Sequence, residues 1–405
     1  MRRVLWVAIC LMAGAMVLSS AAAAQEKAPT GFPQKQQDVP LDKRPVPIIR
    51  LRLVIAGMVH GHVQGFLEGA TKRDDIEIVG VWEIDRALFD AYATKYGLDA
   101  KLYHADLEEM LNATHPEAVL VYTDTFDHRR VVEACAKHNP GYEQNGNDVK
   151  IWRVTVMMEK PLAVSTEDAY AIQKAAKDAR MTVVVNYETT RYRSNWGAYE
   201  LVKTGAIGEV RKVVVHDGHM GPKEIGVGPE FLEWLTDPKL NGGGALYDFG
   251  CYGVDLMTWL MGGERPLTVT AVTQQIKPEI YPRVDDEATI VLTNAKAQAI
   301  VQASWNWPFD RKDMEVYGQK GYVITVKRDE MDVRLPGEES AKRVIANALN
   351  APNDDPLHYL RAVVGEGLRP VGPGSLEINV VVAEVLDAAR ESARTGRTVK
   401  MEGKK

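Results

Sequence analysis

The 405 residues carry 49 Lys and Arg against 55 Asp and Glu, a formal charge of −6 without a basic block, which excludes a nucleic-acid footprint. Hydrophobic residues make up 45% and there are three cysteines, so the chain can build large cores and is no disulfide scaffold.

The first elements address export. Arg2 and Arg3, the apolar run 4–18 and Ala22-Ala23-Ala24 before Gln25 read as a signal peptide over residues 1–24. Secretion to the periplasm is therefore expected, with no membrane attachment after cleavage. Cys10 leaves with the leader, and Cys135 and Cys251 allow one bridge. Residues 25–49, rich in Pro, Gln and Lys and without periodicity, read as an extended arm or linker.

Residues 50–185 read as a Rossmann domain. Leu51 to Ala56 is a strand, a turn follows with Gly57, His60 and Gly61, and a helical pattern runs to Lys72. A second strand, Ile76 to Trp82, ends on Glu83. Strand, glycine turn, helix, strand and acid is the order that a dinucleotide requires. Backbone N–H groups at the turn would receive the pyrophosphate and Glu83 the ribose hydroxyls. Glu83 would repel a 2′-phosphate, so NAD is expected over NADP.

The unit repeats. Ala118 to Tyr122 is a strand that enters Thr123-Asp124-Thr125-Phe126-Asp127-His128, and Arg130 to His138 is helical. Residues 139–150 read as an inserted polar surface loop. Trp152 to Met158 is again a strand, running into Glu159-Lys160-Pro161. This alternation predicts a parallel sheet with ligands at the carboxyl ends of its strands.

Residues 186–405 read as a substrate-binding α+β domain. Strand patterns at 210–216, 267–274, 288–293, 298–305 and 313–317 predict a large, mostly antiparallel sheet, and the final helix could pack back toward the N-terminal domain. Gly242-Gly243-Gly244 precede a helical pattern to Met261, on which Asp248, Tyr252 and Asp255 share one face. Such a glycine loop suits a close backbone approach, and an acid there equally suits the helix dipole. Trp305 and Trp307 divide between core packing and a surface for a sugar ring. His216 and His219 lack metal partners, so no metal site is expected.

The ordered set of motifs resembles the glucose–fructose oxidoreductase, inositol dehydrogenase and rhizopine-catabolism (Gfo/Idh/MocA) family over residues 50–402. It rests on the first strand and turn, Glu83, the Thr123–His128 segment, Glu159-Lys160-Pro161, Gly205 to Glu209, and Gly242 to Tyr252. The departures are Met58 in the glycine turn, Asp124 in place of proline, and the insertion at 139–150. The resemblance implies that Lys160 lies near nicotinamide and substrate, and that Asp248 and Tyr252 complete the catalytic set. It also implies cofactor contacts from Gly57, His60, Gly61, Glu83, Thr123, His128, Glu159 and Lys160. A general base must take the hydroxyl proton as hydride leaves. Tyr252 is expected in that role as a phenolate, favoured by the Lys160 ammonium, with Asp248 positioning.

These residues point to a secreted NAD(P)-dependent oxidoreductase that acts on a sugar or polyol hydroxyl. Export implies a tightly held cofactor regenerated within the cycle, and a homo-oligomer is expected. Two readings compete: an NAD-dependent glycosidase working by transient ring oxidation, and a non-catalytic binding protein with the same fold.

Overall fold

The computed structural model describes residues 50–401 apart from 71, 140, 146 and 147. The expected signal peptide at 1–24 and the expected arm at 25–49 lie outside the described residues.

Among the described residues, eight strands belong to the first half: β1 (Leu51–Ala56), β2 (Ile76–Trp82), β3 (Tyr103–His104), β4 (Ala118–Val121), β5 (Gly141–Asn145), β6 (Asp148–Trp152), β7 (Thr155–Glu159) and β8 (Thr182–Asn186). Six form one sheet in the order β3-β2-β1-β4-β7-β8, and every pairing in it is parallel. Leu53 to Ala56 and all of β4 and β7 are buried, as continuous apolar strands must be when helices cover both faces. Strand order reverses direction between β1 and β4, which opens a crevice at their carboxyl ends. Local chemistry ends the helices cleanly. Asp85 caps the helix Arg86–Tyr96, which stops at Gly97 in the left-handed conformation.

The insertion departs from the expected loop. It is an antiparallel hairpin of β5 and β6, and Trp152 closes that hairpin instead of opening β7. The polar composition hid two short strands, Gly141–Asn145 and Asp148–Trp152.

The second sheet contains β9 (Val210–Gly218), β10 (Thr268–Gln274), β11 (Glu287–Thr293), β12 (Gln298–Ser304), β13 (Arg311–Gly318), β14 (Tyr322–Thr325), β15 (Glu330–Arg334), β16 (Lys342–Ile345) and β17 (Val399–Lys400). Their order is β16-β15-β14-β13-β9-β12-β11-β10-β17, antiparallel except for β9 beside β12. The helix Gly250–Leu260 lies on it and is buried at every position. Its approach is close: a Cβ on Gly253 would stand 2.4 Å from a Val301 methyl. The helix Leu376–Thr395 packs beside it and reaches the first half, where Asp387 accepts the Thr166 N–H at 2.6 Å.

Asp248 is not on the same helix as Tyr252 and Asp255, contrary to the shared-face expectation. It ends a one-turn helix, Ala245–Asp248, and Phe249 separates this from Gly250–Leu260. The glycine run ahead of it serves packing: a Cβ on Gly244 would meet the Asp285 carbonyl at 1.8 Å, and Asp285 accepts the Gly244 and Leu246 N–H groups. Cys135 and Cys251 are buried free thiols. No helix among the described residues is long and apolar enough to cross a membrane.

Candidate active site

Lys160 follows the end of β7, where a parallel sheet presents its functional side chains. Its ammonium meets Asp248 Oδ1 at 2.5 Å and the Asp248 carbonyl at 3.0 Å. The other carboxylate oxygen accepts the Trp305 indole N–H at 2.9 Å. All three side chains are buried. Burial opposes the charge on Lys160, yet Asp248 raises its pKa above the ordinary lysine value. Burial likewise opposes the Asp248 charge, and Lys160, His219 and Trp305 together bring it below the usual carboxylate value. The pair is ionised, and Asp248 is held at both oxygens. Trp305 is thus a core residue and a donor to Asp248, not a sugar platform. Trp307 has one ring face occupied by Arg311, 4.6 Å away.

Tyr252 lies beside this pair, but its surroundings do not favour the expected phenolate. Lys160 Nζ stands 5.1 Å from the centre of the ring and spends its charge on Asp248. Burial pushes the Tyr252 pKa well above 10, and negative neighbours including Glu188 and Asp248 add to the rise. The site is also drier than a phenolate needs, with Tyr252 only 2% exposed. Burial thus favours the neutral phenol at Tyr252.

Three neighbours were not placed at the site by the sequence reading, although His219 was weighed there as a metal ligand. His219 packs edge-on to Phe249 at 4.9 Å, and its Nδ1 accepts the Gly221 N–H at 2.9 Å. Its pKa is lowered, first by burial, and it senses both Asp248 and Lys160. Lys312 lies 5.5 Å from the Tyr252 ring centre and pairs with Glu188. Glu188 sits two residues beyond β8, so the rule that ligands gather at strand carboxyl ends could have found it. Nothing local marks His219 or Lys312.

The turn after β1 contains Gly57, Met58, His60 and Gly61. Gly57 has φ +79°, and a Cβ there would collide with Thr123 at 2.6 Å, so glycine is required. Met58 is fully buried in the core with Val63 and Leu67. Glu83 accepts the Met58 N–H at 2.6 Å and the Asp85 N–H at 2.9 Å, and burial raises its pKa. It grips the turn from the end of β2. The N–H groups of Val59 and Gly61, both half-buried, have no partner among the described residues. Two such groups ahead of a helix fit an anion such as a diphosphate.

The remaining expected cofactor contacts divide. Thr123 is buried and donates its hydroxyl to the Asp124 carbonyl at 2.8 Å. Glu159 faces His62 at 2.9 Å and Asn186 at 3.3 Å. His60 is buried against Phe231 and Trp234. His128 lies behind the Lys160 segment, with Nδ1 3.3 Å from the Leu162 carbonyl, and burial pushes its pKa down to about 4. The structure therefore places His128 as a support for Glu159-Lys160-Pro161.

Comparison with known proteins agrees with this architecture. Residues 51–187 match the model of an oxidoreductase family with an NAD-binding Rossmann fold, and residues 197–324 match the GFO/IDH/MocA C-terminal domain. A trans-1,2-dihydrobenzene-1,2-diol dehydrogenase of Xenopus tropicalis is 27% identical over 290 residues, 68% of this chain and 79% of that one. An NADP(+) scyllo-inositol 2-dehydrogenase of Bacillus subtilis is 22% identical over 328 residues, 75% of this chain and 84% of that one. The crystal structure of an aldose-aldose oxidoreductase from Caulobacter crescentus, complexed with glycerol, superposes with TM-score 0.70 at 22% identity, covering 87% of this chain and 100% of that one.

Proposed function

We propose that this chain, which belongs to the Gfo/Idh/MocA family of NAD-binding oxidoreductases, interconverts a hydroxyl and a carbonyl on a sugar or polyol. The observation that carries the reading is the buried Lys160–Asp248 pair, clamped by Trp305 at the carboxyl edge of the parallel sheet. When bound, the nicotinamide cofactor supplies hydride transfer. Val59 and Gly61 would hold its diphosphate through their N–H groups, and Glu83 would face its ribose, which favours NAD.

Lys160 holds or moves the proton on the reacting oxygen. As an ammonium it donates to the carbonyl oxygen during reduction, while Asp248 fixes its position and balances its charge. Tyr252, neutral, is a second donor to the same oxygen. Oxidation needs Lys160 to lose its proton first, so its rate should climb with pH toward the raised Lys160 pKa.

The leader over residues 1–24 supports export. A cofactor held tightly and regenerated within the cycle follows from that location. Mass spectrometry of denatured, freshly purified protein tests the reading and should release NAD(H). A preparation that releases no dinucleotide and takes none up on titration would remove the hydride mechanism. Leaving-group release from chromogenic glycosides without added cofactor would move the assignment to a glycosidase.

A further inference from the structure

Four strand termini meet at one edge of the second sheet. Gly218 ends β9 opposite Ser304 of β12, Ser304 faces Glu287 at the start of β11, and Glu287 faces Gln274 at the end of β10. The segments that leave this edge carry His219 and Trp305, which both neighbour Asp248. Lys277, three residues beyond β10, reaches across them. Its ammonium donates to the Trp305 carbonyl at 2.7 Å, the Met220 carbonyl at 2.6 Å and Glu224 Oε1 at 2.5 Å. An ammonium has three donors, and here all three are spent.

We infer that Lys277 is a positioning residue of the active site: it fixes Trp305 and the His219 segment against Asp248, and so aligns Lys160. The inference rests on the reading that Lys160 and Asp248 carry the proton chemistry. With its donors filled, Lys277 acts through these two segments and not on the reacting atoms. The Trp305 indole holds the second oxygen of Asp248 only while the tryptophan backbone stays in place, and Lys277 grips that backbone at its carbonyl.

Lys277 is itself held. Buried Asp286 accepts the Ile276 and Lys277 N–H groups at 2.7 and 2.6 Å, and its carbonyl accepts the Trp305 N–H at 2.9 Å. Lysine and tryptophan therefore share one anchor. On the other side, the Tyr281 hydroxyl donates to the second Glu224 oxygen and accepts the Lys223 N–H at 3.2 Å, while its ring lies 4.8 Å from that of Trp305. This ties the segment after His219 to the segment after β12. A pair with Glu224 alone would account for a charge at position 277. The two main-chain carbonyls make the lysine a bridge.

Lys277→Met keeps the aliphatic stem and deletes the three donors, and it is tested in the full chain. Misplacing a catalytic group by about 1 Å can cost roughly a hundredfold, so kcat should fall by about tenfold to a hundredfold while the KM for dinucleotide stays within about twofold. The basic limb of the pH–rate profile should move down by roughly half to one pH unit, because a loosened Asp248 supports the Lys160 charge less against burial. Trp305→Phe should also lower kcat, and adding Lys277→Met to it should cost little more, since both act through one indole. A role in stability alone leaves the limb where it is and makes the two losses add. If Lys277→Met does not fold, Lys277→Arg decides: it keeps the charge but offers a planar fork to acceptors in three directions, and should move the limb the same way.

A second readout needs no turnover. The ¹⁵N-indole resonance of Trp305, assigned by its loss in Trp305→Phe, should shift and exchange faster with water in the Lys277 variant. A chain inactive on sugars and polyols would overturn the functional reading, and the indole resonance would still decide the place of Lys277. An unmoved limb with additive losses, or an unmoved Trp305 resonance, overturns the inference.

Discussion

Two groups of buried carboxylates in the second half show opposite solutions to the same problem. Asp248 is sealed from water but answered by an ammonium at one oxygen and an indole N–H at the other, and it stays ionised. Asp217 on β9 and Asp255 on the helix Gly250–Leu260 are also sealed, and none of their four carboxyl oxygens has a hydrogen-bond partner. Burial pushes both pKa values well above 3.8, and Asp217 raises that of Asp255 further. Lys312 and Lys160 oppose the rise at Asp217, while Asp313 and Glu188 add to it, and burial dominates. Burial alone therefore does not dictate whether an acid is charged. The partner does.

Breaking the answered pair should have the largest effect. Lys160→Ala removes the charged donor and strands Asp248, so turnover should fall by about 10²-fold or more. Stability should fall by about 3–5 kcal/mol, the usual cost of leaving one member of a buried pair. Steady-state kinetics and thermal unfolding measure the two losses. Adding Asp248→Asn should recover stability without activity. A variant within threefold of wild-type turnover would exclude Lys160 from the chemistry.

Tyr252→Phe tests the neutral donor. Losing a hydrogen bond to a charged oxygen is worth about 1.5–3 kcal/mol, roughly tenfold to a hundredfold in rate. The basic limb of the pH–rate profile should persist, because Lys160 titrates there. Disappearance of that limb would restore the phenolate.

Glu83→Ala leaves the Met58 N–H buried without an acceptor, at about 1–3 kcal/mol of stability. NAD affinity, read by calorimetry, should fall as the turn loosens, and the preference over NADP should narrow.

The smallest effect is expected where the acid is unanswered. Asp217 has a folded pKa above its unfolded one, so its contribution to stability is full below about pH 3.9 and is lost as pH rises toward the folded value. Asp217→Asn should cost little, change stability by less than about 1 kcal/mol at low pH, and flatten that decline. Asp248 has the opposite sign: its contribution is present above the unfolded pKa and is lost as pH falls through the lowered folded one. Thermal unfolding across pH 3 to 8 separates the two, and a Asp217 variant that loses several kcal/mol at neutral pH would mean that its carboxylate is charged and answered.

The amino-acid sequence by itself determined the parallel sheet, because unbroken apolar strands such as Leu53 to Ala56 must be covered on both faces. It also determined that Glu83, Thr123, Glu159 and Lys160 gather at one edge, since each follows or ends such a strand. Gly57 was legible as a turn for the same local reason. Only the tertiary structure decided what these groups do. Asp248 lies 88 residues from Lys160 and 57 from Trp305, and no spacing brings them together. The protonation of Tyr252, the place of His219 beside Asp248, and the contact of the glycine run with Asp285 are likewise non-local. The physical reason is common to all of them. Strand and turn preferences are set by neighbours along the chain, whereas charge state is set by desolvation and by partners that folding alone brings within reach.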